Sequence, residues 1–396
     1  LFLPPEFGSW FSDQYISFWT SRQLCLTTDS STGSILLYKH LILLVVTEQS
    51  SMHPERKKDH LKICLEEDVE ARASTGLERY RLMHCALPEM ALEDVQLATH
   101  LYGKELGAPF LISAMTGGTE MAEKVNKNLA AAAQRYGVAM GVGSQRAAIE
   151  EIQWEYTYQV RDVAPDILLF ANLGAVQLNY GYGPKECKRA VEMINADALV
   201  LHLNALQECL QPHGNTNFRG VLAKIGEVCS ALDVPVIAKE VGWGFSEEVA
   251  ASLRAVGVAG LDVAGAGGTS WSLVEGHRAK GNRARQVAEA FAGWGIPTAL
   301  AIRMARKAAP ELPVIASGGF RSGVQAALAL ALGADLVGIA RPLLEAAMES
   351  AEAASEVMAF FIETCRIAMF SSGAQDLAAL RRAPMLRDDA VYCISD

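Results

Sequence analysis

From Pro109 to Leu344 one alternation repeats along the chain. A short apolar run ends in small or polar residues, and a longer amphipathic segment follows. The runs are "PFLISAMTGG" (Pro109–Gly118), "VAMGVGSQR" (Val138–Arg146), "DILLFANLGAV" (Asp166–Val176) and "ALVLHLNALQE" (Ala198–Glu208). They continue with "PVIAKEVGWG" (Pro235–Gly244), "AGLDVAGAGGTSW" (Ala259–Trp271), "PVIASGGFRSG" (Pro313–Gly323) and "ADLVGIARPLL" (Ala334–Leu344). Between them lie Ala-rich segments such as "EMAEKVNKNLAAAAQRYG" and "SEEVAASLRAVG". Strands alternating with helical patterns predict βαβ units and a parallel sheet. Eight units in a segment of this length suit a closed (β/α)8 TIM barrel, an α/β fold. A doubly wound open sheet normally carries a Gly-rich turn after its first strand. "SAMTGGTEM" lacks the GxGxxG spacing of that turn.

Every run gives way to Gly, Ser, Thr, Asn, Gln, Lys or Arg at its carboxyl end, which a barrel gathers on one rim, where active sites lie. The fourth run is the clearest case. Val200, His202 and Asn204 alternate with Leu199, Leu201 and Leu203, and Gln207 and Glu208 follow at once. The pattern predicts an arm over 52–108, a barrel over 109–372 and a tail over 373–396. The arm includes the charged, partly helical "RKKDHLKICLEEDVEARASTGLERY". The longest connection, "SLVEGHRAKGNRARQVAEAFAGWGIPT", follows the sixth strand, and such lengths suit a functional lid or a disordered loop.

Residues 1–51 show no sustained period. Their apolar stretch "ILLYKHLILLVV" is too short to span a bilayer and is interrupted by Lys39 and His40. No basic start or small-residue cleavage site marks a signal peptide. The expectation is a non-native or dispensable extension; the rival is a leader that touches a membrane.

Composition narrows the ligand. The chain has 396 residues, is 51% hydrophobic and carries a net charge of −10. That balance argues against a nucleic-acid groove or an anionic membrane surface. Eight cysteines without CxxC or metal-ligand spacing read as reduced thiols in a cytoplasmic protein.

An anionic ligand would therefore need cations gathered locally. The seventh and eighth strand ends, "SGGFRSG" and "GIAR", bracket the place where barrel enzymes commonly bind phosphate. Bare amides at Gly318, Gly319 and Gly323, with Arg321 in the same turn, favour an anion over a plain tight turn. Thr269 and Ser270 of the sixth run add a second wall. Lys239, at the end of an apolar strand, needs a partner. Glu240 is the plain choice, and the electron-rich part of a flavin the functional one. Arg146 suits bidentate phosphate recognition. Asn172 and Ser144 sit at matching strand ends, where turn formation is the plain reading. The charge run Arg56, Lys57, Lys58 and His60 reads as a solvated face unless the arm folds over the rim. His202 reads as a satisfied core histidine or a ligand. Glu208 reads as a helix-start carboxylate or as a Mg²⁺ ligand, since that ion takes one or two carboxylates, waters and substrate phosphates.

Taken in order, "RKKDHL", "SAMTGG", "GVGSQR", "NLGAVQ", "HLNALQE", "KEVGWG", "DVAGAGGTSW" and "SGGFRSG" closely resemble the type 2, FMN-dependent isopentenyl-diphosphate isomerases. The likeness runs from Met52 to the eighth strand and its helix. Residues 1–51 and the tail "RRAPMLRDDAVYCISD" have no counterpart in it. The resemblance implies interconversion of isopentenyl and dimethylallyl diphosphate with reduced FMN and Mg²⁺, and NADPH as the reductant. FMN would meet Ala114, Met115, Thr116, Ser144, Asn172, Lys239, Thr269, Gly319, Phe320, Arg321, Ala340 and Arg341. The diphosphate substrate would meet Arg56, Lys57, His60, Ser144, Gln145, Arg146, His202, Asn204 and Gln207, with Mg²⁺ on Glu208. The flavin, not a side chain, would move protons, with Gln207 in support. A cytoplasmic homo-oligomer, a tetramer or larger, is implied. Two rivals use the same barrel: an FMN-dependent 2-hydroxy-acid oxidase or dehydrogenase, and a non-catalytic flavin-binding scaffold. The former needs a histidine base near the flavin, and the only His-Gly pair here is His213–Gly214, in a loop.

Overall fold

The computed structural model describes residues 56–387. The expectations for residues 1–51 and for the last part of the tail lie outside them. Eight parallel strands close into a barrel in chain order. They are β1 (Phe110–Ile112), β2 (Ala139–Gly141), β3 (Leu169–Gly174), β4 (Ala198–Leu203), β5 (Val236–Glu240), β6 (Gly260–Asp262), β7 (Val314–Ser317) and β8 (Leu336–Ile339). Val337, Gly338 and Ile339 pair with Phe110, Leu111 and Ile112, which seals β8 against β1. The expectation of a (β/α)8 TIM barrel, drawn from the alternation of strands and helices, is met by this closure.

The strands are short and mostly buried on both faces, so they read as continuous apolar runs rather than alternations. Outward side chains such as Phe110, Leu169, Leu199 and Leu261 join helix residues in one core. Inward ones, including Phe170, Val200, Ile237, Ile315 and Leu336, form a second cluster inside the barrel. A hairpin of Thr99–Leu101 and Lys104–Leu106 adds Leu101 and Leu106 to that inner cluster. Tyr102 at its tip donates from Oη to the Ala259 carbonyl at 2.9 Å, just before β6. The hairpin therefore stops the amino end of the barrel.

Local signals set the helices. Glu120–Tyr136 begins at Thr119, whose hydroxyl accepts from the Ala122 amide, and ends at Gly137 in the left-handed conformation. Acidic residues sit in its first turn and Arg135 in its last, matching the helix dipole. The long connection after β6 is not a bare loop. It folds into helices Trp271–Arg278, Asn282–Ala290 and Thr298–Ala308. Of the tail, Met385–Arg387 pairs antiparallel with Tyr80–Leu82 of the arm. None of the described helices is long and apolar enough to cross a membrane.

Candidate active site

A cavity of about 1800 Å³, its open mouth included, lies at the carboxyl ends of the strands. Strand register brings four side-chain positions there into one row. Gly174 pairs with His202, His202 with Lys239, and Lys239 with Asp262. The arm crosses the mouth of its own barrel. Residues 56–66 are helical, and Arg56, Lys57, His60, Leu61 and Cys64 line the cavity. These positions share one helix face at i, i+4 spacing. Lys58 is exposed, so the charge run divides: one side is solvated and the other looks into the site.

The positions expected to meet FMN, substrate or metal all line this cavity except Gln145. Ser270 and Gly323 do not, and the Gly323 amide donates to Thr364 Oγ1 at 2.8 Å instead of standing bare. Gln145 is fully buried, and its side chain turns into the barrel wall. Its Nε2 donates to the Ala190 carbonyl at 2.8 Å and its Oε1 accepts from the Asn172 amide at 2.9 Å. It was expected at the substrate. The structure makes it a tie between β3 and the helix Pro184–Ile194, because a polar side chain near a strand end can satisfy backbone as readily as a ligand.

Glu208 opens the short helix Ala205–Leu210 and is 6% exposed. It accepts from Asn204 Nδ2 at 3.1 Å, from Gln211 Nε2 and from the Asn215 amide. All three donors are neutral. Asn204 Oδ1 and Gln177 Oε1 are buried and have no hydrogen-bond partner among the described residues. This oxygen-rich corner fits a hard cation that takes one carboxylate and fills its shell with waters and phosphate oxygens. Among the described residues no three His, Cys, Asp or Glu side chains cluster as a metal cage.

At the opposite wall the β6 and β7 turns meet backbone to backbone. An added Cβ on Gly268 would lie 2.6 Å from the Gly319 amide nitrogen, and one on Gly319 would lie 2.3 Å from the Gly267 carbonyl. Gly318 and Gly319 also need positive φ, +111° and +84°. Ser113 and Thr116 line the same cavity, and their hydroxyls are buried without hydrogen-bond partners among the described residues. Turns without side chains, orphaned hydroxyls and two arginines fit a phosphorylated, heterocyclic cofactor such as FMN.

Lys239 does not pair with the Glu240 carboxylate. Its Nζ donates to the Glu240 carbonyl at 2.7 Å and lies 3.6 Å from Asp262 Oδ2. The Glu240 carboxylate instead accepts the amides of Val241, Gly242, Trp243 and Gly244, which folds the turn after β5. Burial pushes it up to about 7 against the pull of those amides.

The cations crowd one another. Burial, and then Arg146, lower the Arg56 guanidinium. Burial and Arg56 bring Lys57 down to about 8. Burial, then Lys57, Lys239 and Arg56, hold His202 down to about 3. His202 is therefore neutral at pH 7, with Nδ1 donating to Asn172 Oδ1 at 2.8 Å. Positive groups that depress one another in a cleft point to an absent anion.

Sequence reading missed Glu275, in the helix after β6. Its side chain is fully buried and accepts from His60 Nε2 at 2.9 Å, Gln207 Nε2 at 3.1 Å and Arg278 Nη1 at 2.6 Å. Burial works to raise its pKa, but His60, Arg278 and Gln207 overcome that and hold it at about 2. His60 also stacks edge-on against Trp271 at 5.1 Å. Arm helix and lid helix are thus joined around one carboxylate.

The family model for FMN-dependent dehydrogenases matches residues 52–163 and 189–387. Among curated proteins, the isopentenyl-diphosphate delta-isomerase of a Synechococcus strain is 54% identical over 343 residues, 86% of this chain and 98% of that protein. Its namesakes from a Nostoc strain and from Xanthobacter autotrophicus are 52% and 54% identical, each over 98% of their length and over 86% and 84% of this chain. Among solved structures, mandelate oxidase superposes with a TM-score of 0.55 at 18% identity, over 79% of this chain and 88% of that one. Its complex with (S)-2-phenylpropionate gives 0.54 at 19%, with the same coverage. At that identity the likeness concerns the fold.

Proposed function

The chain belongs to the isopentenyl-diphosphate delta-isomerases of the FMN-dependent dehydrogenase family, and from that premise we propose that it interconverts isopentenyl and dimethylallyl diphosphate using reduced FMN and Mg²⁺. One observation carries the finer part of this reading. Half-buried cations on the arm, each depressed by a neighbouring positive group, face a buried carboxylate with unsatisfied amide oxygens beside it. A diphosphate–Mg²⁺ pair meets both needs.

In this reading Arg56, Lys57 and Arg146 would bind the diphosphate, and Glu208 would hold Mg²⁺. Asn204 and Gln177 offer oxygens toward the metal's shell. His202 stays neutral and keeps an acceptor nitrogen free, and His60 and Gln207 are oriented by Glu275. Reduced FMN, when bound, would supply both the proton donor and the base for moving the double bond. The chain's own groups suit that division of labour. Glu275 stays ionised, Glu240 is occupied by backbone amides, and burial pushes the cavity-facing Cys64 thiol up to about 11. The protein contributes binding, orientation and charge, and remote binding energy at the diphosphate positions the alkene. The same reading takes NADPH as the source of reducing power and sets the enzyme in the cytoplasm as a homo-oligomer.

The test is conversion of isopentenyl diphosphate in the absence of oxygen with FMN, reductant and Mg²⁺. Turnover that requires all three is expected. A chain that binds FMN and converts nothing would refute the assignment. The 2-hydroxy-acid oxidase rival finds no foothold in its His-Gly pair. His213 is exposed, and Gly214 is there for packing, since a Cβ on it would lie 1.8 Å from the Glu208 carbonyl oxygen.

A further inference from the structure

Residues 69–71 of the arm are bolted to the β6 turn. The Ser270 amide donates to Val69 O at 2.8 Å, the Ala71 amide donates to Gly268 O at 2.7 Å, and Glu70 pairs antiparallel with Thr269 between them. From that anchor the Glu70 carboxylate reaches across the phosphate end of the cavity. Its Oε1 lies 2.6 Å from Arg321 Nη2 and 3.8 Å from Arg341 Nη1. Both arginines line the cavity, one from the β7 turn and one from the start of the helix after β8. Arg341 Nη1 is buried and has no hydrogen-bond partner among the described residues. A single carboxylate oxygen serves one fork well and leaves the other wanting. A group with three oxygens would serve both. The Glu70 side chain is 60% exposed, so leaving the arginines costs it little.

We propose that Glu70 is a built-in stand-in for the phosphate of the flavin. It neutralises Arg321 and Arg341 while the site holds no anion, and it yields them when the phosphate enters. This deepens the FMN reading above and rests on it. Binding is then an exchange of one anion for another, so Glu70 holds down affinity for the phosphorylated flavin and leaves affinity for an unphosphorylated one alone. The anchored backbone keeps the carboxylate within reach for the reverse exchange.

The experiment is a titration of flavin-free full-length chain with FMN and with riboflavin, followed by quenching of flavin fluorescence, for wild type and Glu70→Gln. The substitution is isosteric and lies at the surface, so folding should persist. The dissociation constant for FMN should fall about threefold to tenfold in Glu70→Gln, in line with loss of one like charge beside the phosphate. That for riboflavin should stay within about twofold, since it carries no phosphate to feel the charge. Inorganic phosphate should also compete better against FMN in the variant. Unchanged or weaker FMN binding, or a parallel shift for riboflavin, overturns the proposal while FMN binding by wild type stands. Wild type that binds neither flavin overturns the cofactor reading and this proposal with it.

Discussion

At the scale of single residues, Lys57 gives the most direct test. In the free protein it titrates at about 8, below its ordinary 10.5, because burial and Arg56 disfavour its charge. A bound diphosphate favours that charge. Binding above pH 8 must therefore take up a proton, and affinity should fall as pH rises through 8. Initial rates between pH 7 and 9.5 should show KM rising with that midpoint, and Lys57→Gln should raise KM and erase the trend. His202 works on stability instead. Its folded pKa of about 3 lies below the ordinary 6.5, so between those values the unfolded chain binds more protons. Its contribution is fully present above pH 6.5 and is lost as pH falls toward 3. Glu208→Gln should keep the fold and raise the Mg²⁺ concentration for half-maximal rate by ~10-fold or more; an unchanged Mg²⁺ curve would remove Glu208 from the metal site. Gln145→Leu leaves the buried Asn172 amide without its acceptor and removes a second donor from the Ala190 carbonyl. A loss of about 1–3 kcal/mol per orphaned group is expected from denaturant midpoints.

At the scale of elements, the turns after β6 and β7 act as one piece. Gly319→Ala meets both a positive φ and the Gly267 carbonyl. It should cost roughly 1–3 kcal/mol of strain and weaken flavin binding by pushing the two turns apart, readable by thermal melting and by flavin titration. Elements were the most legible level. All eight strands stand in runs bounded by Gly, Pro or polar residues, and the polar strand ends do form the rim. What lay beyond reading were the partners supplied by other elements. Glu275 in "SLVEGHR" looks like one more charge on a solvated helix, and only the docked arm buries it. Glu70 lies in an acidic run that reads as surface until residues 69–71 pair with the β6 turn. Gln145 failed in the other direction. Period-two alternation tells which face a side chain takes, but a residue just past the strand no longer obeys it.

For the whole molecule, closure of one end of the barrel governs traffic. The hairpin with Leu101, Tyr102 and Leu106 stops the amino end, and the arm and lid frame the other. Gly260 has room for no side chain there, since a Cβ would lie 2.3 Å from Tyr102 Oη. Among the described residues the barrel thus has one doorway, and whatever stands in it screens what lies behind. A diphosphate seated beneath the arm should slow the access of dissolved oxygen to reduced flavin, seen as slower reoxidation in stopped-flow absorbance. An equal rate with and without the diphosphate would reveal a second entrance. With FMN as cofactor and a diphosphate as substrate, the same geometry would impose a queue, the cofactor entering first and leaving last as in any blind alley.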